Sequence, residues 1–286
     1  MMKSILVHLN DSASCETRLR LAKHLSEKFN AKISGIHFSA TTFALENQSV
    51  PQNLDVNNVT DINALVLNTR QKKVLSEKAA VQRKLDKIFS TDFLPSWETF
   101  IGDDGHRLIA NCRYHDLMIL SSTLNLGSLL ERLNSTIASV ASESGCPIFV
   151  IPSEFCTLPS FCNPVIVWNS GRAVARAISD GLPFLKEAKK VTVYCDSSSS
   201  NDSERRRSGL LKLSEYLTRH DVSHEIITTE LREDNYSAHL LKRISEAEHD
   251  LAVIGAYDHT NVKETMLGSV TRALMQEAKI PIFLSH

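Results

Sequence analysis

The residues whose types and spacing could do chemistry lie in one run, Gly255-Ala256-Tyr257-Asp258-His259-Thr260-Asn261-Val262-Lys263-Glu264-Thr265-Met266-Leu267-Gly268-Ser269-Val270-Thr271. An apolar stretch, 251–256, precedes it. A helical stripe, Thr271, Leu274, Met275 and Ala278, continues from it. A glycine lacks Cβ and lets backbone come close to a ligand. Gly268-Ser269 opens the helix, whose free N–H groups and positive dipole end favour phosphate. Asp258 adds a side chain and a negative charge to the run, and nothing else in the sequence signals a metal site.

Other constellations carry less. The chain has eleven histidines, but no His-Glu-x-x-His and no Cys-x-x-Cys. His220 and His224 are four apart, with a strand boundary expected between them. Six cysteines occur, and free thiols are the default in a reducing compartment. Cys156 and Cys162 are close enough in sequence for oxidation to join them. Arg205-Arg206-Arg207 sits among Asp202, Glu204 and Glu215, which reads as a solvated helix face. No Gly-x-Ser-x-Gly elbow or triad is visible. No catalytic residue and no metal ligand are assigned.

Formal net charge is -1, so no basic excess suggests nucleic acid as a partner. No run of about 18 apolar residues predicts a membrane span. The N-terminal apolar run is broken by His8 and Asn10 and is too short for a signal peptide. A cytosolic location is expected.

The elements that must position the run are legible through an internal repeat. His115-Asp116-Leu117-Met118-Ile119-Leu120 answers His249-Asp250-Leu251-Ala252-Val253-Ile254. Cys146-Pro147-Ile148-Phe149-Val150 answers Ile280-Pro281-Ile282-Phe283-Leu284. Both correspondences have an offset of 134. Ile5-Leu6-Val7-His8-Leu9-Asn10 answers Val165-Ile166-Val167-Trp168-Asn169 at an offset of 159, so the first copy is 25 residues longer inside. The surplus is expected in residues 40–68, which show no clear period.

Each copy reads as five short apolar strands alternating with helices. Strands are expected near 4–10, 32–39, 97–102, 117–122 and 147–152, and again near 164–169, 190–195, 224–230, 251–256 and 281–285. Such alternation implies α/β architecture: right-handed crossovers and a doubly wound, Rossmann-like parallel sheet in each copy. The expected organisation is one domain over 1–152, a linker over 153–163, and a second domain over 164–286. In open parallel sheets, ligands bind beyond the carboxyl ends of the strands where strand order reverses.

At this point a resemblance becomes specific. The universal stress protein family carries Gly-x2-Gly-x9-Gly-Ser/Thr after its fourth strand. Gly255, Gly268 and Ser269 match it, and Asp258 stands where the second glycine belongs; the resemblance implies a negative charge beside the expected phosphates, which like charge disfavours and Mg²⁺ could bridge. Leu267-Gly268-Ser269-Val270-Thr271-Arg272 and the terminal Ile280-Pro281-Ile282-Phe283-Leu284-Ser285-His286 look like the C-terminal half of tandem bacterial members. The resemblance implies the adenine nucleotide alpha hydrolase-like fold. It also implies a site for ATP or another adenine nucleotide at Asn169, Gly255, Asp258, Gly268, Ser269, Val270 and Thr271.

Asn10 and Asn169 stand where the family has an acidic residue near the adenine. Asparagine can serve a base edge, and it can equally serve as a cap or turn residue. In the first copy the family glycines fall on Ser121, Leu124 and Asn134, and only Ser135 survives. Leu124, Leu126, Leu129 and Leu130 could line something apolar or be core. The resemblance further implies that Ile148–Ile151 and Ile282–Ser285 pair across a pseudo-twofold axis, as in a pseudo-dimer. The sequence does not decide whether two whole chains associate further.

Three readings of function follow. One is a stress-response sensor that binds a nucleotide in its second half, with weak ATPase activity at most. Another is a ligand-free interaction scaffold. The third is a slow nucleotide hydrolase with Asp258 and His259 as its only acid–base candidates.

Overall fold

The structure, a computed structural model, describes residues 2–39, 59–90, 93–101, 105–122, 137, 139–196, 203–229, 233–256 and 269–286. Ten strands form one sheet. They are β1 (Ser4–Leu9), β2 (Lys32–Ser39), β3 (Ser96–Ile101), β4 (Leu117–Ser121), β5 (Ile148–Ile151), β6 (Pro164–Trp168), β7 (Val191–Asp196), β8 (His224–Thr229), β9 (Leu251–Gly255) and β10 (Ile282–Ser285). Seven helices are bounded among the described residues: α1 (Ser14–Phe29), α2 (Val59–Ile88), α3 (Gly105–Cys112), α4 (Arg172–Leu185), α5 (Ser203–Arg219), α6 (Glu233–Glu246) and α7 (Ser269–Glu277). A further short helical stretch runs through 139–144. None of these helices is long and apolar enough to cross a membrane.

The strand order is β3-β2-β1-β4-β5-β10-β9-β6-β7-β8. Each half thus repeats one plan, and the halves meet at β5 and β10. All pairings within a half are parallel. The meeting pair is antiparallel, with Ile282 opposite Val150, Phe283 opposite Phe149 and Leu284 opposite Ile148. The expected pairing across the pseudo-twofold axis is therefore present. It closes two edges that would otherwise expose unpaired backbone groups.

Strand side chains alternate between two cores, one on each face of the sheet. Val7, Ile119, Phe149, Ile166, Val253 and Phe283 belong to one, with Leu21 and Leu25 of α1, Val81 and Leu85 of α2, Ile178 of α4 and Leu217 of α5. Leu6, Met118, Leu120, Val150, Val165, Ile254 and Leu284 belong to the other, with Leu108 of α3, Val140, Leu240 of α6 and Leu274 of α7. Both faces are covered, which is why the central strands read as continuous apolar runs.

Two expectations change. The segment 40–68 is not wholly aperiodic, because α2 already begins at Val59; residues 40–58 lie outside the described residues. The segment 153–163 is more than a spacer. Phe161 within it is 1% exposed and adopts φ 55°. Its ring packs 5.9 Å from Phe149 and 5.1 Å from Phe184, so the connection is pinned into the first core.

Candidate functional site

In the second half, strand order reverses between β6 and β9, so their carboxyl ends frame the switch point. Gly255 closes β9. A Cβ there would lie 2.6 Å from the Val174 nitrogen and 3.0 Å from the Ala173 carbonyl carbon. The first turn of α4 thus lies directly on the strand end, and only glycine admits it. Thr271, in the first turn of α7, donates its hydroxyl to the Gly255 carbonyl at 3.1 Å. That bond fixes the amino end of α7 beside the end of β9. Val270 is half-buried against the second core, and Ser269 is the first residue of α7. Asp258 and Gly268 lie outside the described residues.

Asn169 follows β6 and is exposed. Its Oδ1 accepts the Gly171 amide at 2.9 Å, and Gly171 is the N-cap residue of α4. Asn169 is therefore a turn residue through its oxygen, which leaves its amide N–H groups for another partner. Beside it, Trp168 buries its indole Nε1 with no hydrogen-bond partner among the described residues. Buried donors are rarely left unpaired. The sequence reading missed Trp168. The available signal was an indole at the end of a buried strand, where its first-half counterpart is Leu9.

The corresponding edge of the first half is built differently. Asn10 Oδ1 accepts the Ser12 amide at 3.2 Å, the Ser12 hydroxyl at 2.6 Å and Arg18 at 2.7 Å. Ser121, where the first family glycine would fall, ends β4 fully buried, 3.4 Å from the Ser14 hydroxyl. Leu124, Leu126, Leu129, Leu130, Asn134 and Ser135 lie outside the described residues. His8 and His37 are buried on β1 and β2. Burial holds the His8 imidazole well below its ordinary pKa, and the Arg18 charge and His37 push the same way. Burial also lowers His37, against the pull of Glu77 and Asp11. The sequence reading missed these two histidines, because each sits inside an otherwise apolar strand; His8 stacks on Phe38 on one face of the sheet and His37 meets Trp97 on the other.

The remaining sequence candidates are accounted for locally. His224 is held by the Ser214 hydroxyl at 2.8 Å and the Val222 carbonyl at 2.9 Å. Cys156 and Cys162 are free thiols, each near a backbone carbonyl two residues earlier. Burial pushes the Cys112 thiol up to about 12 and raises Cys146 further. Inert thiols are expected from such surroundings. Of the Arg205–Arg207 run, Arg207 is exposed on α5.

Comparison with known proteins matches residues 169–286 to the universal stress protein family. No curated protein matches in sequence. Among solved structures, a universal stress protein from Archaeoglobus fulgidus DSM 4304 superposes with a TM-score of 0.65 at 12% identity, covering 99% of this chain and 95% of that one. A functionally unknown protein from Pseudomonas aeruginosa PAO1 gives 0.55 at 11% identity, covering 99% and 92%. Identities this low speak for the fold, and they do so over the whole length, both halves included. Residues 169–286 thus match the universal stress protein family, behind a first half built to the same strand order.

Proposed function

We propose that this protein is a cytosolic stress-response sensor that binds ATP or another adenine nucleotide in its second half. The observation that carries the reading is the bond from Thr271 to the Gly255 carbonyl, which sets a helix amino end at the sheet's switch point. In this reading the free amides at Ser269, Val270 and Thr271 face the phosphates. The amide of Asn169 and the unpartnered indole N–H of Trp168 serve acceptors on the ligand. Gly268 allows close approach of the loop. Asp258 either meets Mg²⁺ or weakens phosphate binding. Residues 1–152 and 164–286 act as two domains joined by 153–163, the first for scaffold or regulation.

A second reading is a ligand-free interaction scaffold. Gly255 favours it, because the approach of α4 alone accounts for that glycine. Mass spectrometry of small molecules released on denaturation separates the two. ATP titration of wild type and Gly268→Glu completes the test. Co-purified nucleotide and weaker binding by the variant support the sensor. Equal behaviour of the two proteins, with nothing released, would overturn it.

A further inference from the structure

We propose that β3, the edge strand of the first half, is an interaction surface for a second copy of this chain, and that the two β3 strands pair antiparallel about a twofold axis through Thr99. This does not rest on nucleotide binding. β3 stands last in the strand order and is paired on one side, by β2, in register from Ser34–Ser96 to Ser39–Ile101. Its outer side is an open row of backbone donors and acceptors, a template for another strand. Charge commonly guards such an edge. β3 carries one charge, Glu98, which is exposed, and no ion pair among the described residues includes it. The opposite edge of the sheet differs. There Glu225 of β8 pairs with Lys190 at 2.5 Å and accepts the Thr192 hydroxyl at 3.2 Å, so its charge is engaged within the chain.

The side chains of β3 suit a copy of themselves. Glu98 and Phe100 share one face of the strand. Phe100 packs on Phe38 at 5.8 Å, and the exposed Arg107 of α3 lies over its ring at 5.0 Å. An acid and a cation thus stand on the same face, two strand positions apart. A twofold axis between those positions brings the acid of each copy to the cation of the other. The other face is apolar at its ends. Trp97 is half-buried against α2, where its indole donates to Gln82 at 3.3 Å, and Ile101 is 70% exposed.

The same pattern selects the register. An axis perpendicular to the sheet keeps each face on its own side, so the residue on the axis fixes every pair. With Glu98 on the axis, two carboxylates would stand directly opposite each other, which is unfavourable. With Phe100 there, Glu98 would face residue 102, beyond the end of β3. With Thr99 there, Glu98 faces Phe100 of the second copy and the guanidinium stacked on it, twice by symmetry. On the other face Trp97 meets Ile101 of the second copy and covers it, and Thr99 meets Thr99, a favoured cross-strand pair. Pro95, which has no N–H to give, lies outside the paired stretch 97–101. So short a ladder makes a weak dimer, one that follows protein concentration.

Sedimentation equilibrium of the full-length chain across the micromolar range tests this. Wild type is expected to pass from monomer to dimer. Glu98→Arg sets two cations against each other in the dimer, and Arg107→Glu sets two acids. Each variant alone should dimerise about tenfold more weakly than wild type, or less well still. Mixed together they restore both opposite-charge contacts, so the mixture should dimerise again. A wild type that stays monomeric throughout overturns the proposal, as do variants that dimerise like wild type or a mixture that stays as weak as its components. If Arg107→Glu does not fold, Thr99→Cys decides, in a Cys156→Ser/Cys162→Ser background under copper–phenanthroline oxidation. Opposite Cα atoms of an antiparallel pair lie about 4.5–5.5 Å apart, within disulfide reach. Rapid crosslinking of two chains through Thr99→Cys, faster than through Glu98→Cys, supports the axis at Thr99. No crosslink, or the reverse order, overturns it.

Discussion

Asp116 and Asp250 stand 134 residues apart and hold the chain in the same way. Asp116 Oδ2 accepts the amides of Lys3 at 2.6 Å and Ser4 at 2.9 Å, at the entry to β1. Asp250 accepts the amides of Cys162 at 2.7 Å and Asn163 at 3.1 Å, at the entry to β6. Each carboxylate precedes the fourth strand of its half and clamps the start of the first strand beside it.

These clamps differ in exposure, and the cost of losing them should differ accordingly. Asp116 is exposed and Asp250 half-buried. Charge-assisted bonds contribute about 1.5–3 kcal/mol when sheltered and less when solvated. Asp250→Ala is expected to destabilise by about 2 kcal/mol and Asp116→Ala by about 1 kcal/mol. Urea unfolding of the two variants checks the order. Equal midpoints would mean that the clamps do not depend on burial.

The Asp116 clamp also has a pH signature. Partial burial pushes its carboxyl up, but the bonds from Lys3 and Ser4 and the nearby N-terminal charge outweigh it, so the net shift is down. Its stabilisation is present above the ordinary carboxylate range and is lost as pH falls through it. Asp116→Asn should flatten the acid limb of the stability curve below about pH 4. An unchanged acid limb would contradict the assignment.

The sheet was legible in the sequence because burial on both faces writes strands as short apolar runs, as in Leu117–Leu120 and Leu251–Ile254. The antiparallel seam came from resemblance, since periodicity cannot say which edges meet. Arg18 shows where reading fails. It falls on the same helical face as Leu21 and Leu25, so period alone would bury it, and only its charge argued otherwise. Gly255 shows the converse. The motif assigns it to ligand approach, while the structure gives it a second duty against α4. The loop residues Asp258 and Gly268 remain with the motif that named them.

Gly255→Ala tests that second duty. The added Cβ would meet backbone atoms of Val174 and Ala173, which cannot rotate away as a flexible side chain would. Overpacking of this kind costs about 1–3 kcal/mol, and contact with backbone argues for the upper part of that range. Thermal unfolding should show the loss even without nucleotide. A variant as stable as wild type would mean that α4 shifts freely.

Stability should also fall on mild acidification. Burial lowers the pKa of His8, His37 and His249 from an ordinary value of 6.5. Arg18 reinforces this at His8. At His249 the Asn163 carbonyl, Asp250 and Glu225 oppose it. A folded pKa below the unfolded one means that the unfolded chain binds the extra proton. The contribution is complete above pH 6.5 and is lost as pH falls below it. Urea midpoints at pH 7.5 and 5.5 should differ, and His8→Gln should shrink the difference. Equal midpoints would show that the imidazoles protonate without cost.

The seam between the halves carries the last prediction. Phe149 and Phe283 face each other in register, with ring centroids 5.2 Å apart. Phe184 packs on both, at 5.2 Å and 5.6 Å. Because the two halves share these rings, they should unfold together. Phe149→Ala should cost about 3–5 kcal/mol, and Phe149→Leu about 1–2 kcal/mol, because leucine fills more of the space. A single transition in wild type that splits into two in Phe149→Ala would locate the coupling at this seam. Calorimetry resolves the two cases, and a wild type that already unfolds in two steps would show that the halves are energetically independent.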